Sequence, residues 1–466
     1  MLTSTADTPS RLSLWLRVRE FAVPPSMIET ATARRQAGDW AGACAAANID
    51  VDLDLRTVTR THGRALAAEL RADLRGLAPD LLRWHLPRIA PDGLLRPGLT
   101  VALARYDAHR PDGGPPVRLV ARTPPAWADA GQRISLALWD GSHRAAGASR
   151  YPHPRPDRRF RLDLHRHLWD AHRSGELRHR SGADGRSRPD REPGPRGEPP
   201  PLPGAPGLRC AVDRWAAEAD ILLAAEGRAA GPVDIRLGAR RRLLLEPVTD
   251  GDGPGPPARR IVAAPVGGAG PVLPVLPDAA TWVLPDLDLL RTGAIGADRL
   301  HPLVAAALAP GHAPAGPAPL QDRPGQPRPV DCRGARHRIG LVDGVLTALD
   351  HDPAEIRREE LLVALTGTPL PCLQAIDEAH RRPAGLHGVR ERLDHGDTAG
   401  ALAVVEGLLG PDALLRGGAL RDELESAARR RISYGLFRAG LVEHSPSPDR
   451  RRPRDRRAGA LGATAR

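Results

Sequence analysis

The sequence predicts an α+β protein: helix-rich N- and C-terminal regions with small, mostly antiparallel sheets, separated by disordered Pro/Gly/Arg-rich linkers. Three observations lead there. Apolar residues recur at helical spacing toward both ends of the chain, as in Val58, Ala65, Leu66, Leu70 and Leu74. Short aliphatic and β-branched runs stand between Pro, Gly and Asp clusters, as antiparallel strands do. Two long stretches lack large apolar side chains and cannot offset the entropy of ordering them. At 466 residues, with 48 Gly and 49 Pro, the chain is too long for one ordinary core and divides into ordered bodies and spacers.

The first ordered region spans residues 1–173. Ser26 and Glu29 form an S-x-x-E capping box for a helix over 27–37. Gly38-Asp39 breaks it, and 40–47 gives a second short helix. Ile49, Val51, Leu53 and Leu55 then alternate with Asp50, Asp52 and Asp54 at the period of a strand. Helices over 58–74 and 79–84 follow, then strands over 99–106, 117–122 and 134–139. Residues 160–172 read as a basic amphipathic helix, with Leu164, Leu168 and His172 four apart.

Residues 174–207 form the first linker. The middle region, 208–309, opens with a helix to 226 carrying Val212, Trp215, Ala219 and Leu222 on one stripe. Strands near 233–237, 242–246 and 260–263 follow, and Asp298 caps a helix ending near Ala309. Residues 310–329 are a Pro-rich spacer. The last ordered region, 330–442, starts with a hairpin, 336–342 and 345–349 around Asp343-Gly344. Asp352-Pro353-Ala354-Glu355 supplies an acidic cap, proline at the first helical position and glutamate at the third, so a helix runs to 366. Further helices are expected over 371–380, 386–393, 399–409 and 418–439, before a disordered basic tail, 443–466.

The basic residues are all arginine, with no lysine anywhere. That excludes a P-loop, a Schiff-base enzyme and a protein kinase in their usual forms, since each needs a lysine amine. Residues 150–173 hold seven Arg against three Asp, and the tail holds seven Arg against three acids. With 174–207 and 310–336 these segments carry the whole net charge of +11. The charge therefore falls largely on linkers and tail, not on the surface of a folded nucleic-acid-binding domain. Cys44, Cys210, Cys332 and Cys372 are scattered, with no C-x-x-C pair, and each reads singly as a small buried hydrophobe, reduced in a cytoplasm. No apolar run reaches the roughly 20 residues that span a bilayer.

Four groups of residues are candidates for chemistry. Asp140-Gly141-Ser142-His143-Arg144 follows a strand and resembles the D-G-x-H-R segment of the ParB/sulfiredoxin-like nucleotide-binding fold. The resemblance covers about seven residues and implies a phosphate site at Asp140, His143 and Arg144. The family continues directly into a helix, whereas here Gly147 and prolines 152, 154 and 156 interrupt one, as at an ordinary strand-end turn. Asp50, Asp52 and Asp54 share a face if extended and could hold Mg²⁺ or Ca²⁺, though a solvated strand face gives the same pattern. Asp350, His351 and Asp352 cluster where the hairpin meets a helix that Asp352 caps. His165 with Asp170, and His167 with Asp163, are pairs that a metal or acid–base role would need, and that exposed histidines on a polar helix face explain equally. H-E-x-x-H, G-x-S-x-G and G-x-G-x-x-G are absent, and the sequence reading assigns no metal ligands and no cofactor.

One internal echo is architectural. Arg35-Gln36-Ala37-Gly38-Asp39-Trp40-Ala41-Gly42-Ala43 matches Leu393-Asp394-His395-Gly396-Asp397-Thr398-Ala399-Gly400-Ala401 in placing Gly-Asp between Ala-rich helical stretches. It resembles the hairpin turn of tetratricopeptide-type repeats; two copies without a fixed period read as isolated helical hairpins. The expected function is a cytoplasmic interaction or adaptor protein without a catalytic site, its partner protein unidentified. The alternatives are weak, salt-dependent nucleic-acid association through arginines including Arg450, Arg451, Arg452 and Arg454, and an enzyme with a phosphate site at Asp140–Arg144.

Overall fold

The computed structural model of the protein describes residues 11–107, 116–141, 155–184, 209–238, 241–248, 259–264, 272–311, 328–332, 334–342, 345–366, 371–381, 386–409, 415 and 417–441. The α+β class holds, with small sheets set among helices. Among the described residues no helix is long and apolar enough to cross a membrane.

Helix α1 (Arg11–Arg17) passes through one π turn, Val18–Ala22, into α2 (Pro25–Gln36) and α3 (Trp40–Ala46). The capping box expected at Ser26 does not form. Pro25 starts the helix instead, its fixed φ and missing N–H suiting the first position, and Ser26 sits in the first turn, where its carbonyl accepts the Thr30 hydroxyl at 2.8 Å. The strand expected over 49–55 stops early. β1 (Ile49–Val51) is short because Asp54 accepts the Thr57 backbone N–H at 2.9 Å and caps α4 (Leu55–Gly76). Helix α4 bends at Gly63 (φ +89°) and buries Val58, Leu66, Ala67, Leu70 and Leu74, whereas Ala65 faces solvent.

Beyond α5 (Pro79–His85), a two-residue ribbon, β2 (Arg88–Ile89) and β3 (Leu94–Leu95), leads into β4 (Thr100–Tyr106), β5 (Val117–Arg122) and β6 (Ile134–Trp139). The sheet order is β1-β6-β5-β4, with β1 parallel to β6 (Ile49 opposite Ile134) and the other pairs antiparallel. Residues 160–172 are not the expected amphipathic helix. They form short 3₁₀ turns, Leu162–Leu164, Arg166–Leu168 and Ala171–Glu176, because their backbone is spent on tertiary pairing: Ala78 N–H donates to the Trp169 carbonyl at 2.8 Å, and Leu77 bridges Asp170. Residues 174–184, expected within the first linker, are ordered through α6 (Leu177–Arg180). Leu177 is buried, and Arg180 makes two 2.7 Å bonds to Glu218. The remainder of that linker lies outside the described residues, as do 312–327 of the spacer and the whole of the tail.

In the middle region, α7 (Val212–Ala225) packs on β7 (Val233–Arg236), β8 (Arg242–Pro247) and β9 (Arg259–Ala263), an antiparallel meander around Trp215, Leu222 and Ile235. Helix α8 (Asp278–Thr281) follows. The next helices, α9 (Pro285–Arg291) and α10 (Pro302–Leu308), bury Leu287, Leu289 and Val304 in the N-terminal core. His301, not Asp298, caps α10: its Nδ1 accepts the Leu303 N–H at 3.2 Å while Nε2 meets buried Asp80 at 2.8 Å.

The C-terminal region holds β10 (Arg328–Cys332), β11 (Ala335–Val342) and β12 (Val345–Ala348), antiparallel, with Val342 opposite Val345 as the hairpin signal requires. Then come α11 (Pro353–Thr366), α12 (Pro371–Arg381), α13 (Leu386–His395), α14 (Thr398–Leu409) and α15 (Ala419–Arg438). The echoed Gly-Asp strings form matching turns. Gly38 and Gly396 take positive φ, which glycine alone adopts without strain. Asp39 and Asp397 cap the following helices through Gly42 N–H (2.8 Å) and Gly400 N–H (2.9 Å), and Arg34 and Arg392 brace those caps at 3.2 and 2.7 Å.

Arg83, fully buried, ties these regions together. Its guanidinium donates to the carbonyls of Ala22 (2.9 Å), Gln132 (2.5 Å) and His395 (2.8 Å), so one side chain joins the π turn, the loop before β6 and the end of α13. Next to it, Asn48 donates to the Gly396 carbonyl at 3.2 Å, and a methyl group on Gly396 would run into the carbonyl of Gly131. Replacing Arg83 with Met orphans three carbonyls at about 1–3 kcal/mol each. We expect a destabilisation of about 3 kcal/mol or more, read as faster amide exchange across residues 386–409; unchanged exchange there would contradict the clasp.

Candidate metal centre

Four side chains from separate elements converge in the C-terminal region. Cys332 ends the edge strand β10, paired with Ala335, and His337 lies on β11 opposite Val330. His351 sits in the bend between β12 and α11, and Cys372 is the second residue of α12. One donor atom from each residue lies within 4.8 Å of every other. The imidazoles meet edge to face, centroids 4.2 Å apart, with His337 Nδ1 2.6 Å from His351 Nε2. Both cysteines are fully buried and unpaired in disulfides, and the His351 side chain is 4% exposed.

Two thiols and two imidazoles are the donor set of structural zinc sites, which are tetrahedral. Bond lengths of about 2.0–2.1 Å to nitrogen and about 2.3 Å to sulfur put tetrahedral edges at roughly 3.3–3.8 Å. The four donor atoms lie within 4.8 Å of one another, a limit longer than such an edge, while the imidazole pair is closer than one. A neutral imidazole pair sharing one proton would account for the His–His contact alone; it would not account for two thiols brought to the same point. Surrounding groups fit a ligand set as well. His351 Nδ1 faces Glu355 Oε2 at 3.5 Å, the carboxylate support that orients a ligating imidazole. Burial and the neighbouring Cys332 thiol push the Cys372 thiol up to about 11, so without a cation it stays protonated at neutral pH. Asp350, flanking His351, is engaged elsewhere: Arg338 holds its carboxylate down to about 2 through a 2.7 Å bond.

The local core explains why a cross-link matters here. Cys332, Ile339, Ala348, Cys372 and Ile376 are its buried members among the described residues, and two of these five are the thiols themselves. So small an apolar cluster is the setting in which metal stapling adds stability.

Other candidates resolve differently. Asp140 follows β6, while Ser142, His143 and Arg144 lie outside the described residues, as do Arg450, Arg451, Arg452 and Arg454. Asp50 accepts Arg133 Nε (3.1 Å) and the Tyr434 hydroxyl (2.5 Å), Asp52 accepts Arg438 (2.6 Å), and Asp54 is a helix cap. Asp352 caps α11 as expected, accepting Ala354 N–H at 2.8 Å. His165 and His167 are buried, not exposed. His165 meets Glu218 at 3.2 Å, while Asp163 and Asp170 bond Arg161 and Arg166 at 2.7 and 2.9 Å. The cavity beside these two histidines is only about 20 Å³, room for no more than one water.

Comparisons with known protein families, with curated proteins and with solved structures find no match to this chain. The reading of the site therefore rests on its geometry.

Metal binding at this cluster must displace at least the Cys372 proton, so acid opposes it. Apparent affinity for Co²⁺, followed by its thiolate charge-transfer absorption, should rise at least tenfold per pH unit from pH 6 to 8. A flat pH profile would show that Cys372 is not a ligand.

Proposed function

We propose that the chain is a non-catalytic interaction protein whose C-terminal region is ordered by one zinc ion held by Cys332, His337, His351 and Cys372. The convergence of these four donors carries the reading. With all four tetrahedral positions filled by protein there is no open position for water or substrate, which favours a structural ion over a catalytic one. Lack of lysine and of the common nucleophile motifs points the same way. Thiolate ligands persist in a reducing compartment, in keeping with a cytoplasmic location.

An ion at this site would join β10, β11, the bend before α11 and the start of α12, four segments with little apolar surface between them. Leu346 of β12 also packs against the α13–α15 cluster of Val389, Leu393 and Val405. Order in the metal-bearing sheet would thereby reach the helices that Arg83 clasps. The surface presented to a partner would depend on the ion. Among the described residues, Leu402 on α14 and Ile432 and Leu436 on α15 are the exposed large apolar side chains of those helices.

The purified chain should carry one zinc per molecule, and Cys332→Ser with Cys372→Ser should carry none. Chelation should accelerate amide exchange over 328–381 while leaving the β4–β6 sheet protected. Partner retention from the host should be lost in the double variant. A chain that binds neither Zn²⁺ nor Co²⁺ stoichiometrically, or whose exchange ignores chelation, would overturn the proposal.

A further inference from the structure

A cavity of about 380 Å³ opens into the N-terminal core, far in sequence from the thiol cluster. Its size falls in the range of small-molecule sites. Trp15, Phe160 and Trp282 line it together with aliphatic side chains. Three aromatic walls are a large share of a chain whose aromatic content is 3%.

The polar groups on its wall are unevenly matched. Arg159 donates to Asp278 at 2.5 Å and Arg161 to Asp163 at 2.7 Å, so those charges are compensated. Arg88 is different: its terminal nitrogens donate to the carbonyls of Gly93 (2.8 Å) and Arg83 (2.6 Å), and its Nε is buried without a hydrogen-bond partner. Arg96 stands over the Phe160 ring at 6.0 Å. Among the described residues, neither Arg88 nor Arg96 has a carboxylate within ion-pair distance. His85 also lines the cavity with its side chain 3% exposed. Its Nε2 lacks a hydrogen-bond partner and lies 3.9 Å from Asp286. Burial lowers its pKa to about 4, so the ring is neutral at physiological pH.

A buried guanidinium without a counter-anion is unfavourable unless something neutralises it. Arg88 meets that condition at its buried Nε, whereas Arg96 is exposed at the rim. An apolar, aromatic-walled cavity with one unpartnered guanidinium N–H inside and a second guanidinium at its mouth suits an amphipathic anion, whose flat body the rings can stack on and whose head can accept from Arg88 Nε and Arg96. We propose that this cavity binds a small aryl carboxylate, its ring between Trp15, Phe160 and Trp282 and its carboxylate on Arg88 and Arg96. The site is independent of the metal centre.

The test uses the full chain, with 2-naphthoate as probe and the isosteric neutral 2-naphthamide as control, followed by calorimetry and by tryptophan fluorescence. Naphthoate should bind saturably at one site, at least tenfold more tightly than the amide. Arg96→Gln should weaken naphthoate at least fivefold and leave the amide unchanged. Ala279→Trp, which fills the cavity, should abolish binding of both, and Cys372→Ser should change neither. Equal affinity for acid and amide, naphthoate binding that survives Ala279→Trp, or no binding at millimolar concentration would overturn the proposal. If Ala279→Trp fails to fold, the acid–amide ratio and its collapse in Arg96→Gln decide the matter alone.

Discussion

One buried cation organises this molecule. Removing the Arg83 guanidinium from water costs several kcal/mol, and among the described residues no carboxylate stands against it at ion-pair distance; three main-chain carbonyls from distant parts of the chain solvate it instead. Carbonyls have fixed positions once their backbones are placed, so the arginine can be satisfied only if the π turn, the loop before β6 and the end of α13 arrive together. The geometry is correspondingly tight at Gly396, where no side chain fits beneath the Gly131 carbonyl. Around this clasp lie looser contacts of the same two bodies: Arg133 and Tyr434 on Asp50, Arg438 on Asp52, and Trp127 edge-on to Phe437 at 5.4 Å.

The two Gly-Asp hairpins give the clasp its symmetry of parts. Both use a left-handed glycine, an aspartate cap and an arginine brace five residues before the aspartate. The first hairpin builds the N-terminal core and the second docks onto it. Two copies are too few for a solenoid. The motif works instead as a rigid corner, used once inside a domain and once as the part that engages it.

Much of the fold was legible because its signals are local. The Asp-Gly hairpin, the Asp-Pro-Ala-Glu helix start and strands β4–β6 all follow from turn chemistry and side-chain period, and they appear nearly where expected. Elements fixed by distant partners were not legible. Residues 160–172 have the composition of a helix, yet their backbone pairs with Leu77 and Ala78. Strand β10 contains Pro329, which argues against a central strand but is tolerated at the sheet edge where it lies. Missing β10 hid Cys332, and the ligand spacing of four, thirteen and twenty intervening residues has no short motif to reveal it. The individual reading of Cys332 and Cys372 as buried hydrophobes was sound for each residue, since both are buried; what sequence could not supply was their adjacency.

Two devices thus take the place of a large apolar core in the C-terminal half, a guanidinium bonded to carbonyls and a cluster of four metal-type donors. Leu346, shared between the small cores on either side, connects them. The most direct test of the second device is X-ray absorption at the zinc edge on the chain purified in zinc-replete medium. The account predicts a shell of two sulfurs at about 2.3 Å and two imidazole nitrogens at about 2.0–2.1 Å. A shell of oxygen and nitrogen alone, or no edge above background, would contradict it.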